Sequence, residues 1–319
     1  MKILVTGAGG MLGSAVVPAL VHAGHKVVAT DLRVLADGAA WNGHGPPLTA
    51  LDVRSPGEVA HEFDRVSPTF VVHLAAETDL EVCEAEPEHA FLTNALGTKH
   101  VALACQAADI PLMYVSSAGV FDGTKESAYT ELDDPCPINM YAHSKFEGEQ
   151  YVQMYLRRYY IVRAGWMVGG GRKDHKFVAK ILNQLRAGAQ VIYAVGDKLG
   201  TPTYAPDFAE CFARLMETDS FGLYHMACQG QASRYDVARK ILEVLGRTDV
   251  QLVKVESDFF HDDYPVRRPA SEIMRNLMLE VHGMNTMRPW EESLEEYLQI
   301  AFADLSVVPE LSEQFVGVM

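Results

Sequence analysis

MKILVTGAGGMLGSAVVPALVHAGHKVVATD, residues 1–31, is the stretch that decides the fold of this 319-residue chain. An apolar run, Ile3–Thr6, leads into Gly7, Gly10 and Gly13. A helical run, about Met11–Ala23, then ends at Gly24, and a second apolar run, Lys26–Asp31, follows. Three glycines between a strand and a helix form a loop suited to a pyrophosphate. The first glycine permits the tight turn, the second lets backbone approach the anion, and the third lets the helix sit close to the sheet. Met11 and Leu12 lie where the helix N-terminus offers free N–H groups and the positive end of its dipole.

The rhythm continues outward. Leu48–Val53, Phe70–Leu74, Leu112–Ser116 and Tyr160–Arg163 are further strand candidates, separated by helical stretches at Pro56–Val66, Glu88–Ala108 and Tyr141–Arg158. The strands are almost continuously apolar, as a sheet covered on both faces requires. The expected fold is therefore α/β, a Rossmann-type doubly wound parallel sheet. Residues 1–165 form a dinucleotide-binding domain in this reading, and a segment near 201–229 returns to it. Residues 166–319 form mainly a smaller, mixed substrate-binding region. There the pattern is less regular: a turn at Gly169–Gly171, helices near Phe177–Arg186, Pro206–Glu217, Arg234–Leu245 and Glu291–Ala301, and a strand at Val191–Val195.

Bulk properties exclude several classes. A formal charge of -15 disfavours nucleic acid and anionic membrane, both of which need a basic face. The N-terminal run meets glycines too soon for a signal peptide, and no apolar run is long enough to span a bilayer. The five cysteines show no C-x-x-C pair and read as reduced packing residues of a cytoplasmic protein. The 12 histidines show no metal-ligand spacing, so no metal is expected.

Asp31 ends the second strand, where a carboxylate can accept hydrogen bonds from both adenosine ribose hydroxyls. It favours NAD; Arg33, two residues on, leaves NADP open. Asp52 and Val53 stand where the adenine edge would fall. Among the 13 tyrosines, only Tyr141 has a lysine four residues later, Lys145, which puts both on one helix face. A phenol becomes useful in acid–base chemistry when a neighbouring cation favours its ionised form, and Lys145 can also hold a ribose.

With Ser116-Ser117 ending a strand upstream, these residues resemble the extended short-chain dehydrogenase/reductase family almost end to end. The resemblance implies that Tyr141 is the general acid–base and that Lys145 lowers its pKa and holds the nicotinamide ribose. Ser117 would polarise the substrate oxygen, and Asn94 would support a water relay. His73, Leu74, Ala75 and Ala76 would line the cofactor.

Within that family, AAETDLEVCEAEP, VFDGTKESAYTELDDPCPINMYAHSKFEGEQ, R-x-x-W (Arg163 to Trp166), GTPTYAPDFA, GLYHMACQGQASRYDVARKIL and MRPWEESLEEYL resemble the dTDP-4-dehydrorhamnose reductase group. That implies hydride transfer to C4 of a 4-keto-6-deoxy sugar on a nucleoside diphosphate. Trp166, Thr78 and Glu81 are then candidate sugar contacts, and Lys173, Lys176, Arg267 and Arg268 candidate diphosphate contacts. The chain departs from that group after Ser117, where Ala118 and Gly119 replace the usual aspartate and tyrosine. Ala15 replaces a helix-one glutamate used in one metal-bridged dimer, so a homodimer, if formed, uses another contact. Two alternatives stay open: a nucleotide-sugar 4-epimerase with bound NAD, and a cofactor-binding regulatory subunit without turnover.

Overall fold

The computed structural model describes residues 1–34 and 45–305. Residues 306–319, the end of the region assigned to substrate binding, lie outside the described residues. In the first half, β1 (Lys2–Thr6), β2 (Lys26–Asp31), β3 (Leu48–Ala50), β4 (Phe70–His73), β5 (Leu112–Ser117) and β6 (Tyr159–Ala164) follow in turn. The second half adds β7 (Trp166–Val168), β8 (Val191–Val195), β9 (Leu199–Gly200) and β10 (Pro202–Tyr204). It continues with β11 (Gly222–Met226), β12 (Ala232–Ser233), β13 (Gln251–Val255) and β14 (Ser271–Glu272). The helices are α1 (Gly13–His22), α2 (Pro56–Val66), α3 (Leu80–Ala85), α4 (Pro87–Ala90), α5 (Gly97–Ala108) and α6 (Met140–Tyr155). After them come α7 (Phe177–Arg186), α8 (Ala205–Met216), α9 (Arg234–Val244), α10 (Leu277–Val281) and α11 (Trp290–Ala301).

Seven strands form one parallel sheet in the order β3-β2-β1-β4-β5-β6-β11. Alternate side chains serve two different cores. Ile3, Val5, Val72 and Val162 face α1, α7, α8 and α9, while Leu4, Val71, Tyr114 and Ile161 face α2 and α5. That double burial explains why the strands read as unbroken apolar runs and confirms the Rossmann-type doubly wound fold. The strand order reverses between β1 and β4, which opens a crevice at the carboxyl ends of these strands. The remaining strands make small sheets, β10-β7, β13-β8 and β12-β9-β14, of which only the β12–β9 pair is antiparallel. No helix among the described residues is long and apolar enough to cross a membrane.

Three local elements differ from the sequence expectation. β3 ends at Ala50; Leu51 N–H still donates to the Asp31 carbonyl of β2 (2.9 Å), but Asp52 N–H turns away to Glu58 Oε2 in the first turn of α2 (3.0 Å). A short helix, α3, appears where none was expected, started by Asp79 Oδ1 accepting from the N–H groups of Glu81 and Val82. The helix expected across Glu88–Ala108 is interrupted by a π-helical segment, Phe91–Leu96, between α4 and α5. Such wide turns gather at functional sites, and this one carries Asn94.

α6 approaches β5 and the π segment closely because Gly148 has no side chain. A Cβ there would lie 2.5 Å from Tyr114 Oη and 2.9 Å from the Asn94 carbonyl. Tyr114 Oη in turn donates to the Lys145 carbonyl (3.1 Å). Gly148→Ala is therefore expected to lower stability by about 1–3 kcal/mol, read as a reduced denaturation midpoint at unchanged m-value.

Candidate active site

The glycine loop is built as the spacing requires. Gly7 has φ +69°, and a Cβ on it would collide with the backbone of Ala75 after β4. Gly13 faces the Ala8 backbone just as closely. No side chain caps α1, and among the described residues the N–H groups of Met11 and Leu12 have no hydrogen-bond partner. A pyrophosphate needs that set of free donors. Asp31 Oδ2 accepts from Gly9 N–H (2.9 Å) and Oδ1 from Arg33 N–H (3.1 Å), which fixes the carboxylate beside the loop. The Arg33 side chain is exposed, without a partner among the described residues.

Several expected contacts sit differently. Asp52 is clamped by Arg54, whose Nε and Nη2 donate to both carboxylate oxygens (2.7–3.0 Å), so its acceptors are occupied. Val53 is buried against Gly97, away from solvent. His73 is fully buried between Thr6 Oγ1 (2.6 Å) and Thr98 Oγ1 (3.0 Å). Burial pushes it down to about 3, so it is a neutral structural link and not a lining residue. Leu74, Ala75 and Ala76 follow at the half-buried mouth of the crevice.

At the next strand end, Ser117 Oγ accepts from Gly119 N–H (3.1 Å) and stands beside Tyr141, the two lying 3.4 and 3.7 Å from the point a Cβ on Gly119 would occupy. Asn139 starts α6 by accepting from Ala142 N–H (2.9 Å), which places Tyr141 in the first turn. Burial pushes the Tyr141 phenol up to about 12, outweighing the lowering by Ser117. The same burial pushes Lys145 down to about 7, against the pull of Glu149 one turn further along α6. The Lys145 ammonium lies 4.2 Å from the Tyr114 ring centroid. Tyr141 thus holds its proton throughout the neutral range, as a proton donor must.

Asn94, expected to support a relay, has its side chain fully engaged. Its Oδ1 accepts from Glu77 N–H (2.8 Å), and its Nδ2 donates to the Glu77 carbonyl (2.9 Å) and to Ser144 Oγ (3.0 Å). Its carbonyl accepts from Thr98 Oγ1 (2.6 Å). With its amide engaged at both ends, it holds the loop after β4 against α6.

Across the cleft, the expected sugar and diphosphate contacts meet one another. Lys176 Nζ donates to Thr78 Oγ1 (3.1 Å), and Arg268 Nη2 pairs with Glu81 Oε1 (2.7 Å). Arg267 contributes its carbonyl, which accepts from Asn139 Nδ2 (3.0 Å), while its side chain is exposed. Lys173 is displaced from this group. The Gly169–Gly171 turn, with positive φ at all three positions, carries the chain over Met11 and leaves Lys173 in the field of Asp31. Trp166 donates its indole N–H to Glu272 Oε2 (2.7 Å), and Arg234 lies 3.7 Å over its ring. The ring face expected to meet a pyranose is thus taken by a guanidinium. Sequence reasoning missed Glu272 and Arg234; neither stands in a spacing that marks it.

A Rossmann-type sheet, a free glycine loop at its crevice and a Ser–Tyr–Lys set on the next two elements define an oxidoreductase of the extended short-chain dehydrogenase/reductase class. The family described as RmlD substrate binding domain matches residues 1–302, and the chain belongs to it. It is 32% identical over 298 residues to the spore coat polysaccharide biosynthesis protein SpsK of Bacillus subtilis, covering 93% of this chain and 97% of that one. It is also 32% identical to a dTDP-4-dehydrorhamnose reductase of Mycolicibacterium smegmatis, covering 92% of this chain and 84% of the relative. Its fold is similar to that of a dTDP-4-dehydrorhamnose reductase from Clostridium acetobutylicum (TM-score 0.84, 31% identity, 94% of this chain and 99% of that one). A second, from Bacillus anthracis in complex with NADP, has a TM-score of 0.82 at 28% identity and covers 94% of this chain and 99% of its own.

The Lys145 shift has a sign that can be checked. Its amine titrates near 7 in the native protein and near 10.5 when exposed. Between those values the unfolded chain binds more protons, so stability rises with pH across that window. Lys145→Met is expected to flatten this rise, measured as denaturation midpoints at about pH 7 and 9.5.

Proposed function

We propose that the protein reduces the C4 ketone of a nucleoside-diphosphate 4-keto-6-deoxy sugar, using a nicotinamide dinucleotide. The observation that carries this reading is the meeting of Ser117 and Tyr141 beside Gly119 at the mouth of the glycine-loop crevice, with Lys145 one helical turn below. The names of the reductase relatives support the substrate class.

The residues fit the cofactor. Met11 and Leu12 offer free backbone donors to its pyrophosphate, and Asp31 offers acceptors for ribose hydroxyls. When bound in reduced form, the dinucleotide supplies the hydride. Ser117 donates a hydrogen bond to the ketone oxygen and Tyr141 gives that oxygen its proton as negative charge builds there. Lys145 binds the nicotinamide ribose and favours the phenolate that remains. Lys176, Arg268 and Arg267, joined by Arg234, hold the diphosphate, so Lys176 and Arg268 must exchange Thr78 and Glu81 for phosphate oxygens. Asp31 favours NADH over NADPH by repelling a 2′-phosphate.

The test is oxidation of NADH or NADPH by a panel of 4-keto-6-deoxy sugar nucleotides. One equivalent of reduced cofactor should be consumed per ketone; an epimerase would show no net consumption. Tyr141→Phe should lower kcat by about 10³-fold or more with cofactor affinity retained within a few fold. Absence of turnover with every ketone and both cofactors would sink the proposal. Asp31→Ser should shift the NADH/NADPH ratio of kcat/KM toward NADPH by about tenfold or more.

A further inference from the structure

The two positions after Ser117, Ala118 and Gly119, offer the cleft no polar side chain, yet a carboxylate reaches the space they leave. A Cβ placed on Gly119 would lie 3.4 Å from Ser117 Oγ, 3.5 Å from Glu272 Oε1 and 3.7 Å from Tyr141 Cε1. Three side chains from β5, α6 and β14 therefore converge on one point. Glu272 stands 155 residues after Ser117 and 131 after Tyr141 in the chain.

The Glu272 carboxylate is held firmly and used only on one side. β14 pairs with β9, placing Glu272 opposite Gly200. The Trp166 ring lies against Gly200, where any Cβ would fall among the ring atoms. Arg234 covers the ring, and the indole N–H fixes Glu272 Oε2. Among the described residues Oε1 has no hydrogen-bond partner, although a carboxylate has room for about four. An ion-pair role does not account for it. Arg268 is paired with Glu81, and neither Arg268 nor Arg234 brings a guanidinium nitrogen within 4.0 Å of a Glu272 carboxylate oxygen. Burial raises the Glu272 carboxyl above the usual carboxylate range, opposed by the Trp166 hydrogen bond and by the positive field of Arg234 and Arg268.

We propose that Glu272 is a specificity-determining residue that accepts a hydrogen bond from the substrate hydroxyl on the ring carbon next to the reacting ketone. The inference rests on the nucleotide-sugar reading above and goes further by assigning one sugar position to one oxygen, Oε1. The ketone oxygen sits between Ser117 and Tyr141, and the adjoining hydroxyl projects from the same edge of the ring toward the Gly119 gap. A side chain at Gly119 would fill that gap. A hydroxyl bound by a fixed acceptor is read strongly, because a deoxy sugar would leave that acceptor unpaired in the closed cleft.

The experiment compares a thymidine-diphosphate 4-keto-6-deoxyhexose that has a C3 hydroxyl with its 3-deoxy counterpart, using the full-length wild type and E272Q. Glutamine keeps the Trp166 contact through its amide oxygen and removes the charge. The wild type should favour the hydroxylated sugar by about 30–100-fold in kcat/KM, and E272Q should reduce that ratio below about fivefold. Equal losses on both sugars, or no change in the ratio, would overturn the assignment and leave Glu272 a structural partner of Trp166. If neither ketone turns over, the reductase reading fails separately. Titration calorimetry then decides on Glu272, with thymidine diphosphate and a thymidine-diphosphate 6-deoxyhexose as probes. A sugar-dependent gain in affinity that E272Q abolishes supports the inference; no such gain, or one that E272Q retains, overturns it.

Discussion

The catalytic face depends on one buried ion pair. Glu149 and Arg163 are 1% and 2% exposed, and Arg163 Nε and Nη2 donate to the two Glu149 oxygens at 2.9 and 2.7 Å. Glu149 stands one helical turn beyond Lys145 and two beyond Tyr141, so the pair fixes the rotation of α6 on β6. Arg163 lies in register with Ser116 on β5 and His225 on β11. His225 is buried, and burial beside Arg163 pushes it down to about 3, so it adds no competing charge. Such a pair is weak evidence of net stability, because desolvation offsets much of its attraction, but removing either partner leaves a buried charge unmet. Its geometry is what the site uses: with Glu149 held, Tyr141 faces Ser117.

The sheet and the glycine loop were legible because their signals are local. Strand, loop and helix occupy the first 24 residues, and every glycine in the motif answers a contact within the loop or with the next strand. The Tyr141–Lys145 pair was legible for the same reason, since four residues are one helical turn. The π segment was not. Its composition is that of an ordinary helix, and what widens it is a set of distant partners: Asn94 reaching Glu77 and Ser144. β14 is two residues long and carries no periodicity, so nothing in the sequence announced that Glu272 would stand beside Ser117.

The charges assigned to a ligand by residue type have partners within the chain that the sequence did not reveal, because a folded acidic chain first satisfies its cations internally. Asp52 finds Arg54, Arg268 finds Glu81, and Lys176 finds Thr78. The last two pairings also join the loop after β4 to the second region across the cleft. On the proposed reading a diphosphate entering there replaces these contacts, and its binding gain is the difference between two sets of charge-assisted bonds.

The protonation states waiting in the cleft bear on the direction of the proposed chemistry. A protein cannot alter the equilibrium between ketone and alcohol, but it selects which groups are protonated before substrate arrives. Tyr141 is held near 12, and the negative field of Glu272 contributes to that rise. Lys145 near 7 is half-charged at neutral pH. A phenol that keeps its proton can only give it, which is the step a reduction needs and the reverse of what alcohol oxidation needs first. Once the proton has gone, the phenolate and a charged Lys145 stabilise each other in the same buried space, raising the affinity of Lys145 for its proton. The carboxylate proposed to read the sugar adds to what burial already does, since its negative field also favours the protonated phenol beside it.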